Sequence, residues 1–152
     1  MSRTFTFNAV KELVGNEIGV SDWLQISQER INMFAECTGD GQWIHTDKEK
    51  AKDGPFGTTV AHGYLILSLL SHFNFQYSIF TEGIKMAFNY GLNKVRFISP
   101  VPEGSRIRHR AVLKNVMEKG SQNLFLIINN TVEIEGQDKP AMEAESVYLI
   151  FL

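Results

Sequence analysis

The sequence predicts an α+β fold in which an antiparallel sheet wraps around one long central helix, and three observations lead there. Hydrophobic periodicity changes along the chain: up to Gly83 it is mainly that of helices and loops, and beyond Gly83 almost wholly that of strands. The stretch Tyr64 to Phe80 is apolar on most sides but broken by Ser68, Ser71, His72, Asn74 and Gln76, which marks a helix buried in protein rather than in lipid. The 152 residues include four prolines, no Gly/Ser-rich linker and no internal repeat, so the whole chain, 1–152, is read as one domain.

Taken in order, the first element is a helix from Ser27 to Cys37. Ser27 can cap it, Ile31, Phe34 and Ala35 recur at helical spacing, and Gly39 can end it. From Asp40 to Thr59 the chain is rich in Gly, Asp and Lys, with Pro55 and Gly57, and reads as a long loop holding a short helix near Asp47 to Lys52. The central helix starts between Ala61 and Gly63 and carries Leu65, Leu69, Leu70 and Phe73. Four strands follow, near Lys85 to Phe97, Ser105 to Val116, Asn123 to Glu135 and Ala141 to Phe151. The third alternates most clearly, with Leu124, Leu126, Ile128, Val132 and Ile134 on one face. Gly120 and Gly136 supply the turns of two hairpins.

Composition narrows the function. A net charge of -2 and a short Arg cluster at 106 to 110 argue against nucleic acid as a partner. Cys37 is the only cysteine, so no intrachain disulfide and no multi-cysteine metal site can form, which fits a reducing cytoplasm. Met1 to Val10 is mixed and polar and reads as neither an export signal nor a membrane anchor. No two histidines have metal-ligand spacing on one helix or hairpin, so no metal is expected.

The informative residues concentrate in two segments, from Phe34 to His45 and from Gly54 to Tyr64. After Gly39, Asp40 and His45 lie five positions apart in the loop, where a carboxylate and an imidazole can converge on one water. Such a pair can take a proton from water and return one to carbon, which is the chemistry of adding or removing water. Reaction beside a thioester carbonyl builds negative charge on its oxygen, and that charge needs fixed donors. If the central helix starts at His62 and Gly63, the Gly63 N–H can meet that oxygen with the helix dipole behind it.

Gly39-Asp40 followed by His45, together with Ala61-His62-Gly63-Tyr64-Leu65, resembles the hydratase-2 motif of MaoC-like dehydratases. The resemblance spans nearly the whole chain. It is greatest to the NodN-like branch, which includes mycobacterial (R)-specific enoyl-CoA hydratases, through Gly39 to His45, Gly54 to Thr59 and Tyr90 to Phe97. It implies a hot-dog fold, a homodimer, and hydration of a trans-2-enoyl-CoA to an (R)-3-hydroxyacyl-CoA by the Asp40 and His45 dyad. Coenzyme A would arrive as part of the substrate, with no separate cofactor. Ser71 falls where the family lines its acyl pocket. Many members have Asn-Pro between the aspartate and the histidine, where this chain has Gln42 and Trp43. These two, His62, Ser71, Lys94 and Arg96 are the substrate-binding candidates, with Gln42 standing in for the amide and Trp43 closing the pocket wall.

Blander roles compete at several positions. Cys37, on a short amphipathic helix, suits a small packed side chain better than a nucleophile. Phe73, Phe75, Tyr77 and Phe80 build core or a dimer seam, with one of them available to an acyl chain. Arg106, Arg108 and Arg110 share a strand face and could meet coenzyme A phosphates, but a charged strand edge in water is the default. The competing functions are a hot-dog thioesterase, a dehydratase acting on acyl carrier protein, and a non-catalytic acyl-CoA-binding module.

Overall fold

The computed structural model describes residues 6–76 and 82–152. Six strands form one antiparallel sheet: β1 (Glu17–Val20), β2 (Leu24–Gln25), β3 (Met86–Phe97), β4 (Arg106–Lys119), β5 (Asn123–Ile134) and β6 (Met142–Phe151). Their order is β1-β4-β5-β6-β3, with β2 also paired to β4. Five helices accompany them: α1 (Phe7–Lys11), α2 (Gln28–Thr38), α3 (Trp43–Thr46), α4 (Lys48–Lys52) and α5 (Gly63–Asn74).

Helix α5 is the central helix, and Leu65, Ile66, Leu69, Leu70 and Phe73 are its buried positions. They meet Ile107, Val132, Ile134, Met142 and Ala144 from the sheet and Ile26 and Ile31 from the segment before it. Each such side chain removed from water contributes roughly 2 kcal/mol, and this cluster fixes how α5 lies on the sheet. Alternation in β5 and β6 produces the matching face, since Leu124, Leu126, Ile128, Val132 and Ile134 are all buried, as the sequence pattern predicts.

A second cluster was not legible beforehand. Val10 of α1, with Phe7, Ala9, Leu13 and Ile18 around it, covers Ala111, Leu113, Val116, Leu124, Leu126, Ile128 and Ile150. The short strands β1 and β2 also escape sequence reading, because four and two residues are too few to establish a period. Strand β3 differs from its neighbours: it lies at one end of the sheet, and Met86, Phe88, Tyr90, Leu92 and Phe97 along it are exposed. Its pairing to β6 shifts register twice, between Asn89 and Gly91 and between Leu92 and Lys94.

Caps set the boundaries near the loop that follows α2. The Ser27 hydroxyl accepts the Arg30 N–H at 3.2 Å, and Gly39 ends α2 in the left-handed region at φ 79°. Cys37 departs from expectation. It is exposed, because α2 buries only Ile31 and Ala35 and turns Cys37 to solvent. Phe73 is wholly buried and Phe75 largely exposed, whereas Tyr77 and Phe80 lie outside the described residues. Among the described residues no helix is long and apolar enough to cross a membrane.

Candidate active site

Helix α2 stops at Gly39, where the Gly39 N–H closes the last turn on Ala35 O at 2.8 Å, and the chain leaves with Asp40 half-buried. His45 does not sit in open loop as expected. It belongs to the single-turn helix α3, whose amides return to Gln42 O and Trp43 O. The turn gives His45 a fixed direction that the Gly-rich sequence alone did not reveal. Gln28 holds it from behind: its Nε2 donates to His45 O at 2.7 Å while its Oε1 accepts the buried Thr59 hydroxyl. Val60 N donates to Ile44 O at 3.0 Å, tying α3 to the segment that enters α5.

Hydrogen bonds settle the face each imidazole presents. His45 Nδ1 lies 2.7 Å from Val60 O; a carbonyl only accepts, so Nδ1 carries the proton and Nε2 is left with its lone pair. His62 Nε2 donates in the same way to Asp40 O at 2.9 Å. Its Nδ1 is buried with no partner. The two rings stack, with centroids 3.8 Å apart and planes 26° from parallel, and the Phe34 ring lies tilted against His62 with centroids 5.0 Å apart. A carboxylate oxygen of Asp40 and one nitrogen from each of His45 and His62 lie within 4.8 Å of one another. The sequence offered no metal-ligand spacing, yet the fold brings these three groups close enough together that they could hold a metal ion.

Gly63 is the first residue of α5, so its N–H has no acceptor within the helix, and it follows His62 directly. A Cβ at Gly63 would come within 3.1 Å of the Phe97 ring, so only glycine lets that ring lie so close to the helix start. A cavity of about 240 Å³ adjoins it, lined by Ala61, Gly63, Ile66, Phe97 and Pro100 among others.

The remaining candidates separate. Gln42 precedes α3 as its N-cap without a side-chain capping bond. The Trp43 ring has Lys50 Nζ 5.0 Å from its centroid and lies so near Gly54 that a Cβ there would come within 2.9 Å of it, which is packing between α3 and α4. Ser71 lies two turns along α5 from Gly63 and accepts Asn89 Nδ2 at 3.2 Å. Lys94 and Arg96 are exposed on β3, and Arg96 Nη1 donates to the neighbouring Val95 O. Among the described residues no hydrogen bond or ion pair joins them to Asp40 or His45. The Arg stripe is neutralised in place: Arg106 pairs with Glu135, Arg108 with Glu133, and Arg110 with Glu17 and Glu133. Partial burial would raise the Glu133 carboxyl, but the Arg108 and Arg110 hydrogen bonds outweigh it and hold it below its ordinary value. Bonds to Glu17 and then Glu133 push Arg110 the other way.

Sequence reading missed Gln28, Thr59 and Phe97 as supports of this site. Thr59 and Phe97 lay within the segments that carried the resemblance, but nothing in spacing could tell that Gln28 reaches His45 across 17 positions.

The sheet, its central helix and the site at the start of that helix define the class, a hot-dog dehydratase. The MaoC like domain matches residues 9–135, and the chain belongs to that family. It is 49% identical over 146 residues to 3-hydroxyacyl-thioester dehydratase Z of Mycobacterium tuberculosis (strain ATCC 25618 / H37Rv), covering 93% of this chain and 95% of that protein. Nodulation protein N of Rhizobium leguminosarum bv. viciae is 43% identical, over 93% of this chain and 88% of that protein. Among solved structures, the monoamine oxidase regulatory protein from Archaeoglobus fulgius superimposes with a TM-score of 0.83 at 26% identity, covering 99% of this chain and 97% of that one. The chain is therefore a hydro-lyase, which sets aside the thioesterase and the non-catalytic binding module.

Proposed function

We propose that the chain hydrates trans-2-enoyl-CoA thioesters reversibly to (R)-3-hydroxyacyl-CoA, with Asp40 and His45 acting on one water. The observation that carries this is the His45 tautomer. With Nδ1–H spent on Val60 O, Nε2 keeps a lone pair, and a ring nitrogen of His45 lies within 4.8 Å of an Asp40 carboxylate oxygen. His45 Nε2 takes a proton from the water that Asp40 orients, and the oxygen adds to the third carbon. The thioester oxygen, now an enolate, rests on the Gly63 N–H at the positive end of α5. The pair then returns a proton to the second carbon from the same side, making the addition syn. The (R) configuration and the coenzyme A carrier follow from the motif resemblance and not from this geometry. His62 acts as a positioning residue, holding the Asp40 backbone with Nε2–H and supporting the His45 ring by stacking.

The test is the loss of enoyl absorbance of crotonyl-CoA and a longer trans-2-enoyl-CoA, with product chirality determined. Asp40→Asn and His45→Gln should each lower the rate by at least ~100-fold while the protein stays folded. Full activity in either variant sinks the dyad, and an (S) product sinks the stereochemical reading.

A homodimer accounts for β3. A twelve-residue end strand with exposed Phe88, Tyr90 and Leu92 would template aggregation unless another chain covers it, and a second copy pairing along β3 covers it by symmetry. Light scattering should give twice the chain mass, and Tyr90→Lys should halve it. A monomeric wild type overturns the dimer.

A further inference from the structure

Between α5 and the strands β3 and β6 lies a cavity of about 290 Å³, lined by four hydroxyl residues, of which three, Ser71, Ser146 and Tyr148, share one hydrogen-bonding pattern. Each of them already accepts an amide N–H. Ser71 Oγ accepts from Asn89 at 3.2 Å, Ser146 Oγ from Asn130 at 2.9 Å, and Tyr148 Oη from Asn74 at 2.7 Å. Among the described residues none of the three donates its own proton, whereas the fourth lining hydroxyl, Ser68, spends its proton on Leu65 O at 2.8 Å. A hydroxyl that accepts one bond keeps one O–H to give, so the cavity holds three unspent donors.

Burial makes the Ser146 donor the consequential one, Ser71 and Tyr148 being half-buried. Ser146 is only 4% exposed, on a strand face whose neighbours Met142, Ala144 and Ile150 are core. Its partner Asn130 is itself fixed, donating also to Ile128 O and Ala144 O and accepting from His109. A buried donor without an acceptor costs free energy, and a ligand that supplies the acceptor recovers it. Lys, Arg, Asp and Glu are absent from the residues that line this cavity, so the acceptor that fits is neutral.

Position relates the cavity to the site. Gly63, Leu67 and Ser71 recur every four residues on one face of α5, and Ser71 lies about 12 Å from Gly63 at the rise of a helix. An acyl chain that ran along that face from a thioester held at Gly63 would reach the cavity. Resting on the hydratase reading, we infer that this cavity selects acyl chains bearing a neutral acceptor oxygen near their far end, a keto group above all, over plain alkyl chains.

The experiment compares trans-2-decenoyl-CoA with its counterpart carrying a keto group on the penultimate carbon. Wild type should favour the keto chain about tenfold in kcat/KM. Ser146→Ala and Tyr148→Phe should each bring the ratio several-fold closer to one. Ser146→Ala leaves the Asn130 amide two carbonyl acceptors, which protects the fold, and circular dichroism checks it. Equal or alkyl-favouring turnover by wild type, or variants that lose both substrates alike, overturns the inference while leaving the hydratase reading intact. Calorimetry of the two saturated chains as CoA thioesters, on Asp40→Asn, separates the opposite case. Tighter binding of the keto chain in a protein whose wild type hydrates neither substrate supports the cavity and removes the hydratase reading. Equal binding of the two overturns the cavity.

Discussion

Two buried histidine settings lie at opposite ends of the same helix and differ in what they leave undone. Under Phe73, His109 is wholly buried; its backbone N–H meets Ser21 Oγ at 2.8 Å and its Nε2 donates to Asn130 Oδ1 at 2.9 Å, within a network that continues to Ser146. At the start of the helix, His45 and His62 are also buried, but each commits one nitrogen to a carbonyl and keeps the other for something else. Burial alone therefore does not separate the two settings; the buried His62 Nδ1, without a partner among the described residues, does.

The largest effect that would break this contrast concerns acid. Burial lowers the pKa of His109 from 6.5 to about 4, against a smaller opposite influence from Asn130. Because the folded value is depressed, the unfolded chain binds the proton first. Stability is full above pH 6.5 and falls as pH drops through the window to about 4, by up to about 3 kcal/mol. Urea unfolding at several pH values should show this slope in wild type and a flatter one in His109→Gln. Equal slopes would mean that His109 is not the group responsible. The Glu133 carboxyl, held below its ordinary value, enters only at lower pH.

A smaller effect sharpens the other end. His62→Phe keeps a ring to stack on His45 but removes the donor to Asp40 O, so kcat should fall about tenfold with KM little changed, the size expected for one lost hydrogen bond. His62→Gln, which restores an N–H donor, should recover part of kcat. A rise in KM with kcat unchanged would instead make His62 a substrate-binding residue.

Much of this molecule was legible before its coordinates. The α+β order, four long strands, the Ser27 and Gly39 caps and the central helix follow from period and turn chemistry, which act locally. Cys37 misled because a short amphipathic helix can bury a narrow stripe, and α2 spends its stripe on Ile31 and Ala35. At the site, the pattern from Gly39 to His45 singled out Asp40 and His45, and the fold brings these two and His62 together. What it could not give was direction. The tautomer of His45 depends on Val60 O, the Asp40 backbone is held by a residue 22 positions on, and the three cavity hydroxyls come from α5 and β6. Such relations are set by tertiary packing and leave no period in the sequence.

Strand β3 joins two matters that were treated apart. Its Asn89, Gly91 and Leu92 wall the cavity, and its Phe88, Tyr90 and Leu92 form the exposed apolar row. Thermodynamic linkage makes that sharing reciprocal: whatever a covering chain does to the affinity for an acyl group, the acyl group does to association by the same factor. If a second copy covers β3 and the cavity takes the acyl chain, as proposed above, protein concentration becomes a variable of substrate choice, and a dilute assay would rank acyl chains differently from a crowded one.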